Sequence, residues 1–293
     1  MTVRMRLPRT PEPMHHWTGF RGLRLAGDAW GDSSAPLVVL LHGGGQTRHA
    51  WKGAGQSLAS AGYRAVALDA RGHGDSSWDP NGLYTDDAMV EDLLCVLEAV
   101  GEDSPILVGA SMGGATSLIA IGEDRVAARA LVLVDMAPHI EPSGSAKIRA
   151  FMERNRDGFD TLEEVAVAIS LYQPQRRRPR QLDGLAKNVR VGADGRYYWH
   201  WDPLFPSATR DMDRYALRLE TCARRLPMPT LLVRGGLSDV VSEEGARRFL
   251  EICPHAEYVN VAGAAHMVAG DRNDIFARAV IAFLIRVVPP RNP

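Results

Sequence analysis

Three residue types, widely separated along this chain, could together perform acyl transfer. Ser111 stands in Gly109-Ala110-Ser111-Met112-Gly113, between the apolar run Pro105 to Val108 and the small residues Gly113-Gly114-Ala115. That pattern predicts a strand, a sharp turn carrying the serine, and a helix. Small flanking residues let the backbone take a strained turn and let the helix pack close to the strand. A serine presented this way can attack an acyl carbon if a base removes its proton. His266, in the small-residue loop Gly263-Ala264-Ala265-His266-Met267, is the candidate base. Asp239 follows the apolar run Pro229 to Val233 and is the expected acid, fixing the imidazole tautomer and stabilising the imidazolium. Asp135 directly follows Leu131 to Val134 and is the alternative acid. An aspartate at a strand end can also simply bond loop backbone.

Acyl transfer also needs donors for the developing oxyanion. His42-Gly43-Gly44-Gly45 follows the apolar run Leu37 to Leu41, where glycines let backbone N–H groups approach a ligand. The expected donors are the N–H groups of Met112 and Gly44, with Gly45 as an alternative to Gly44. Gly43, Met112 and Met267 stand where they would line the substrate pocket.

The elements that must position these residues follow a regular plan. Continuous apolar runs at 37–41, 64–68, 105–108, 131–134 and 229–233 read as strands buried on both faces of a parallel sheet. They alternate with helical patterns, including 84–100, 243–252 and 273–288, so right-handed crossovers are implied. Residues 16–30 suggest an antiparallel hairpin at the sheet edge. The alternation fails between about Pro138 and Pro227. That stretch holds a helical pattern at 159–171, the basic run Arg176 to Arg180, and the aromatic run Tyr197 to Pro203. In the last, Trp199 and Trp201 alternate with Tyr198 and His200, which leaves two readings open: one pair faces a pocket and the other the interior of this stretch, or all four form its core.

The chain resembles the α/β-hydrolases over nearly its whole length. The residues that carry the likeness are His42 to Gly45 with Trp51 behind them, Asp69 to Ser76, the turn around Ser111, Asp239 and His266. The nearer likeness is to the group of esterases, cofactor-free haloperoxidases, epoxide hydrolases and carbon–carbon bond hydrolases. Its epoxide hydrolases carry aspartate where this chain has Ser111, so that activity is not implied. The resemblance implies a mostly parallel sheet flanked by helices, with a core at 1–137 and 228–293 and a helical lid at 138–227. It implies the chain order Ser111, Asp239, His266 and bracing roles for His73 and Asp75. The expected function is hydrolysis of a small or medium carboxylic ester, lactone or thioester. The same triad could serve a carbon–carbon hydrolase or a perhydrolase, and some receptors of this fold retain a slow triad.

Composition limits the remaining classes. The 293 residues are 45% hydrophobic and 24% charged with a formal net charge of −1, which gives no electrostatic reason to bind nucleic acid or a membrane surface. No apolar run reaches the roughly 18 residues of a membrane span. Met1 to Thr10 lacks the apolar segment of a signal peptide. Three scattered cysteines imply neither a disulfide framework nor a metal site. The expectation is therefore a cytoplasmic, metal- and cofactor-independent protein with a small-molecule substrate.

Overall fold

A computed structural model describes residues 4–8, 10–174, 182–207, 211–268 and 273–290. Its centre is an eight-stranded sheet. In chain order the strands are β1 (His15–Thr18), β2 (Arg24–Trp30), β3 (Leu37–Leu41), β4 (Arg64–Leu68), β5 (Ile106–Ala110), β6 (Ala130–Val134), β9 (Thr230–Gly235) and β10 (Glu257–Val261). Across the sheet they run β1-β2-β4-β3-β5-β6-β9-β10. Only the β1–β2 and β2–β4 pairings are antiparallel. β5 lies centrally, with Val108 opposite Leu40 on one side and Val132 on the other. The central strands are buried on both faces, which is why they read as unbroken apolar runs.

Helices cover both faces. On one, α2 (Asp86–Val100), α3 (Met112–Gly122), α6 (Met212–Arg224) and α7 (Glu243–Ile252) enclose a core that includes Leu93, Leu118, Leu219 and Phe249. On the other, α1 (Lys52–Ser60) and the C-terminal helix α8 (Asn273–Val287) enclose Trp51, Leu58, Phe276 and Leu284. Side-chain caps start several helices, with Thr85 accepting from the Ala88 N–H and Ser242 from the Gly245 N–H.

Between β6 and β9 the chain leaves the sheet. It forms α4 (Pro142–Glu153), α5 (Leu162–Tyr172) and a two-stranded sheet of β7 (Val189–Val191) and β8 (Tyr197–Trp199). This insertion has its own small core around Met152, Phe159, Val165, Val189, Trp199 and Trp201. The N-terminal segment joins it: the Met5 N–H donates to the Val191 carbonyl and the Met5 carbonyl accepts from the Val191 N–H, both at 2.8 Å. Within the expected 138–227 stretch, α6 packs on the main core rather than on these elements. α6 packs on α3 so closely that a Cβ on Gly122 would lie 2.3 Å from the Cys222 Cβ, and Leu219 and Cys222 belong to the main core.

Candidate active site

Ser111 sits at the top of the central strand, one residue before α3. Its backbone is at φ 46°, ψ −112°, a conformation that L-residues rarely adopt. Two close approaches hold it there. A Cβ on Gly109 would come within 2.3 Å of the Gly113 carbonyl oxygen, and a Cβ on Gly113 within 2.3 Å of the Leu41 carbonyl oxygen. Glycine at both positions lets β5, α3 and β3 converge beneath the serine. The Ser111 N–H donates to Val134 and the Gly113 N–H to His42, tying the turn to both neighbouring strand ends.

His266 occupies the loop after β10, and its Nδ1 lies 2.7 Å from Asp135 Oδ2. Asp135 follows β6 and is fully buried. Its carboxylate also accepts the Gly235 N–H at 2.9 Å and the Ser238 hydroxyl. A carboxylate with three donors is held in one orientation. His266 therefore faces the alternative acid, Asp135, and not the expected one, Asp239. Asp239 is 45% exposed and pairs with Lys147 of α4 at 2.7 Å. The cause is local: Ser238, one residue earlier, turns inward to Asp135, and α4 packs on the Asp239 backbone so tightly that only Gly144 fits there.

The glycine loop passes beside the serine. A Cβ on Gly43 would lie 3.3 Å from the Ser111 Cβ, so Gly43 backs the nucleophile rather than lining open space. The Gly45 N–H, the alternative oxyanion donor, donates to His73 Nε2 at 3.1 Å and is thereby occupied. Among the described residues no acceptor pairs with the N–H of Gly44 or of Met112.

Ser111, His266, Gly44 and Met112 open onto one cavity of about 460 Å³. Its remaining wall is mostly apolar and comes largely from the insertion and from methionines, including Met136, Met152, Met212 and Met267. Trp199 and Trp201 both line it, stacked at 4.8 Å between ring centroids, with their indole N–H groups bonded to the Arg154 and Met152 carbonyls. They are at once cavity wall and insertion core, because alternate strand positions share a face. The opposite face divides. Tyr198 bonds Asp194 at the surface, and His200 turns down to the glycine loop. Nothing marked His200 in the sequence except its place opposite the tryptophans. The basic run at 176–180 lies outside the described residues, apart from which the residues named here are all placed.

His49 also lines the cavity, and burial beside the Arg48 guanidinium pushes its pKa down to about 4, leaving it uncharged near neutrality. Among the described residues no cluster of His, Cys, Asp and Glu could hold a metal ion.

The model of one family, described as the alpha/beta hydrolase fold, matches residues 36–272. The chain belongs to the α/β-hydrolases. Among relatives of this α/β-hydrolase, the esterase Rv0045c of Mycobacterium tuberculosis is 29% identical over 278 residues, covering 89% of this chain and 85% of that one. The mouse sn-1-specific diacylglycerol lipase ABHD11 is 31% identical over 279 residues, covering 87% and 82%. A crystal structure of an alpha/beta hydrolase from Novosphingobium aromaticivorans superposes with a TM-score of 0.77 at 26% identity, covering 94% of this chain and 98% of that one. Family and relatives make the protein a hydrolase.

Proposed function

We propose that this α/β-hydrolase is a serine hydrolase of small or medium carboxylic esters, lactones or thioesters, acting through Ser111, His266 and Asp135. The observation that carries the reading is the 2.7 Å His266–Asp135 contact, formed at the rim of the cavity onto which the strained Ser111 turn opens. Asp135 accepts from Nδ1–H, which leaves Nε2 unprotonated to receive the Ser111 proton. Ser111 Oγ then bonds to the acyl carbon and the carbonyl π pair moves onto oxygen. The N–H groups of Gly44 and Met112 stabilise that oxyanion, the second reinforced by its place at the start of α3. Collapse expels the alkoxide or thiolate, which takes the proton from His266. Water, deprotonated by the same imidazole, hydrolyses the acyl-enzyme and restores Ser111. The largely apolar wall and the cavity volume suit an acyl group of modest length. The relatives named as an esterase and a lipase favour an ester among the possible bonds. In this reading the insertion is a lid and carries substrate selectivity.

A fluorophosphonate should label the protein once, at Ser111, and a panel of p-nitrophenyl esters of graded acyl length should be turned over repeatedly. Labelling undiminished in Ser111→Ala would reject the nucleophile. A vinylogous diketone cleaved faster than every ester would move the reaction to carbon–carbon hydrolysis.

A further inference from the structure

Three histidines lie in a row beneath the glycine loop, with ring centroids 5.3 Å apart for His42 and His73 and 5.9 Å apart for His73 and His200. All three are essentially inaccessible to solvent. None touches the cavity. They come from three parts of the chain: the end of β3, the loop after β4, and the insertion just after β8.

Each ring bonds two backbone groups, and an amide N–H can only donate, so each tautomer is fixed. His42 Nε2 accepts the Ala70 N–H at 2.9 Å, so Nδ1 carries the proton and donates to the Gly43 carbonyl at 2.8 Å. His73 Nε2 accepts the Gly45 N–H at 3.1 Å, and Nδ1 donates to the Arg71 carbonyl at 3.1 Å. His200 Nδ1 accepts the Gly74 N–H at 2.9 Å, and Nε2 donates to the Gly45 carbonyl at 3.2 Å. Burial pushes the pKa of all three down, that of His73 to about 3, so the neutral tautomers persist.

These bonds fall on three successive peptide planes. His42 holds the Gly43–Gly44 plane by its carbonyl, His73 the Gly44–Gly45 plane by its N–H, and His200 the Gly45–Gln46 plane by its carbonyl. In a trans peptide the N–H points opposite the C=O. With the Gly43 carbonyl turned to His42 and also accepting the Gln46 N–H at 3.1 Å, the Gly44 N–H is aimed the other way. Glycines would otherwise leave these planes free to rotate.

We infer that His200 is a positioning residue for the reaction: by seating the Gly45–Gln46 peptide, whose N–H bonds the Gly43 carbonyl, it makes the oxyanion donor two peptides earlier depend on the insertion being docked. The inference rests on the function proposed above, with Gly44 as donor. The same docking places Met152 Sδ and Phe205 Cε1 each 3.7 Å from where a Gly44 Cβ would be, so the insertion covers the loop that it orients. Closure over the substrate and completion of the oxyanion site thus become one event.

The test compares His200→Phe, which keeps a ring but loses both bonds, with His200→Gln, which keeps an amide donor, and with Tyr198→Phe as a surface control. Melting temperature, the second-order rate of fluorophosphonate reaction at Ser111, and kcat and KM on a p-nitrophenyl ester are measured for each. Loss of one oxyanion donor costs about 10²–10³-fold in kcat. His200→Phe should lose roughly 10²-fold in both kcat and phosphonylation rate, with KM within about threefold. His200→Gln should recover part of that loss, and Tyr198→Phe should match the parent. Folded His200 variants reacting at the parent rate overturn the inference, as does a loss confined to KM. A purely structural histidine would lower melting temperature and leave both rates unchanged in the cold. If His200→Phe does not fold, His200→Gln decides on the same criteria. If the parent itself does not react at Ser111, the proposed function fails, a result distinct from the failure of His200 alone.

Discussion

Asp135 and Asp239 lie close to one another through the loop after β9, and only one of them turns inward. At the scale of single residues that difference decides the chemistry of the proposed mechanism. Asp135→Asn keeps shape but replaces the acceptor facing His266 Nδ1 with a group that can donate, favouring the wrong tautomer. It should lower kcat by about 10⁴ with the fold retained. Asp239→Asn removes only a half-exposed ion pair with Lys147, a kind worth about 0–1 kcal/mol, and should leave kcat within a fewfold of the parent. Steady-state kinetics on one ester, with circular dichroism to check folding, measures both. The placement of Ser111 on a strained turn and of His266 at the cavity was legible because the turn around the serine has a residue pattern of its own and because small residues surround the histidine. Which aspartate faces His266 was not legible. Two aspartates each followed a buried strand, and the choice between them depended on Ser238 turning to Asp135 and on α4 packing against Asp239.

At the scale of elements, the strands were readable nearly to the residue, since a strand buried on both faces has little choice but an apolar run. Helix ends were less so. The helical pattern at 159–171 resolves into α5 at Leu162–Tyr172, because Phe159 instead pairs with Tyr197 and Thr161 caps the helix by accepting the Glu164 N–H. The arrangement of the insertion was not readable, being set by contacts between distant segments. Its central pair, Trp199 and Trp201, makes a further prediction. Each is both wall and core, so Trp199→Ala and Trp201→Ala should each lower stability by roughly 3–5 kcal/mol and each shift relative kcat/KM toward longer acyl chains. Thermal melts and a chain-length series measure the two effects. A variant that lost stability while keeping the parent's chain-length profile would show that the stacked pair does not bound the acyl group.

At the scale of the whole molecule, the buried histidines couple stability to acidity. In the unfolded chain they titrate near the ordinary value of 6.5, whereas in the fold burial holds their pKa lower, His73 at about 3. The unfolded state then binds more protons on acidification, so stability is present above pH 6.5 and is lost as pH falls below it toward the folded values. Denaturant midpoints should drop steadily from pH 6.5 to 4.5, and a triple His42/His73/His200 replacement by neutral residues, if it folds, should flatten that drop. Burial also raises the Cys222 and Cys253 thiols to about 11, so native protein at pH 8 should leave both unreacted with a disulfide reagent until denatured. No described helix is long and apolar enough to cross a membrane.

The pairing of Met5 with Val191 carries a consequence for synthesis. The partners are separated by roughly 190 residues, so during synthesis the segment made earlier must wait for its edge. At ~5–20 residues per second that wait is roughly 10–40 s. Throughout it the sheet strands up to β6 can form, while the wall over Ser111 cannot be completed. The nascent chain would therefore gain its nucleophile turn well before it gains a closed pocket, and a bulky fusion placed ahead of Met5 would burden the pocket wall more than the sheet.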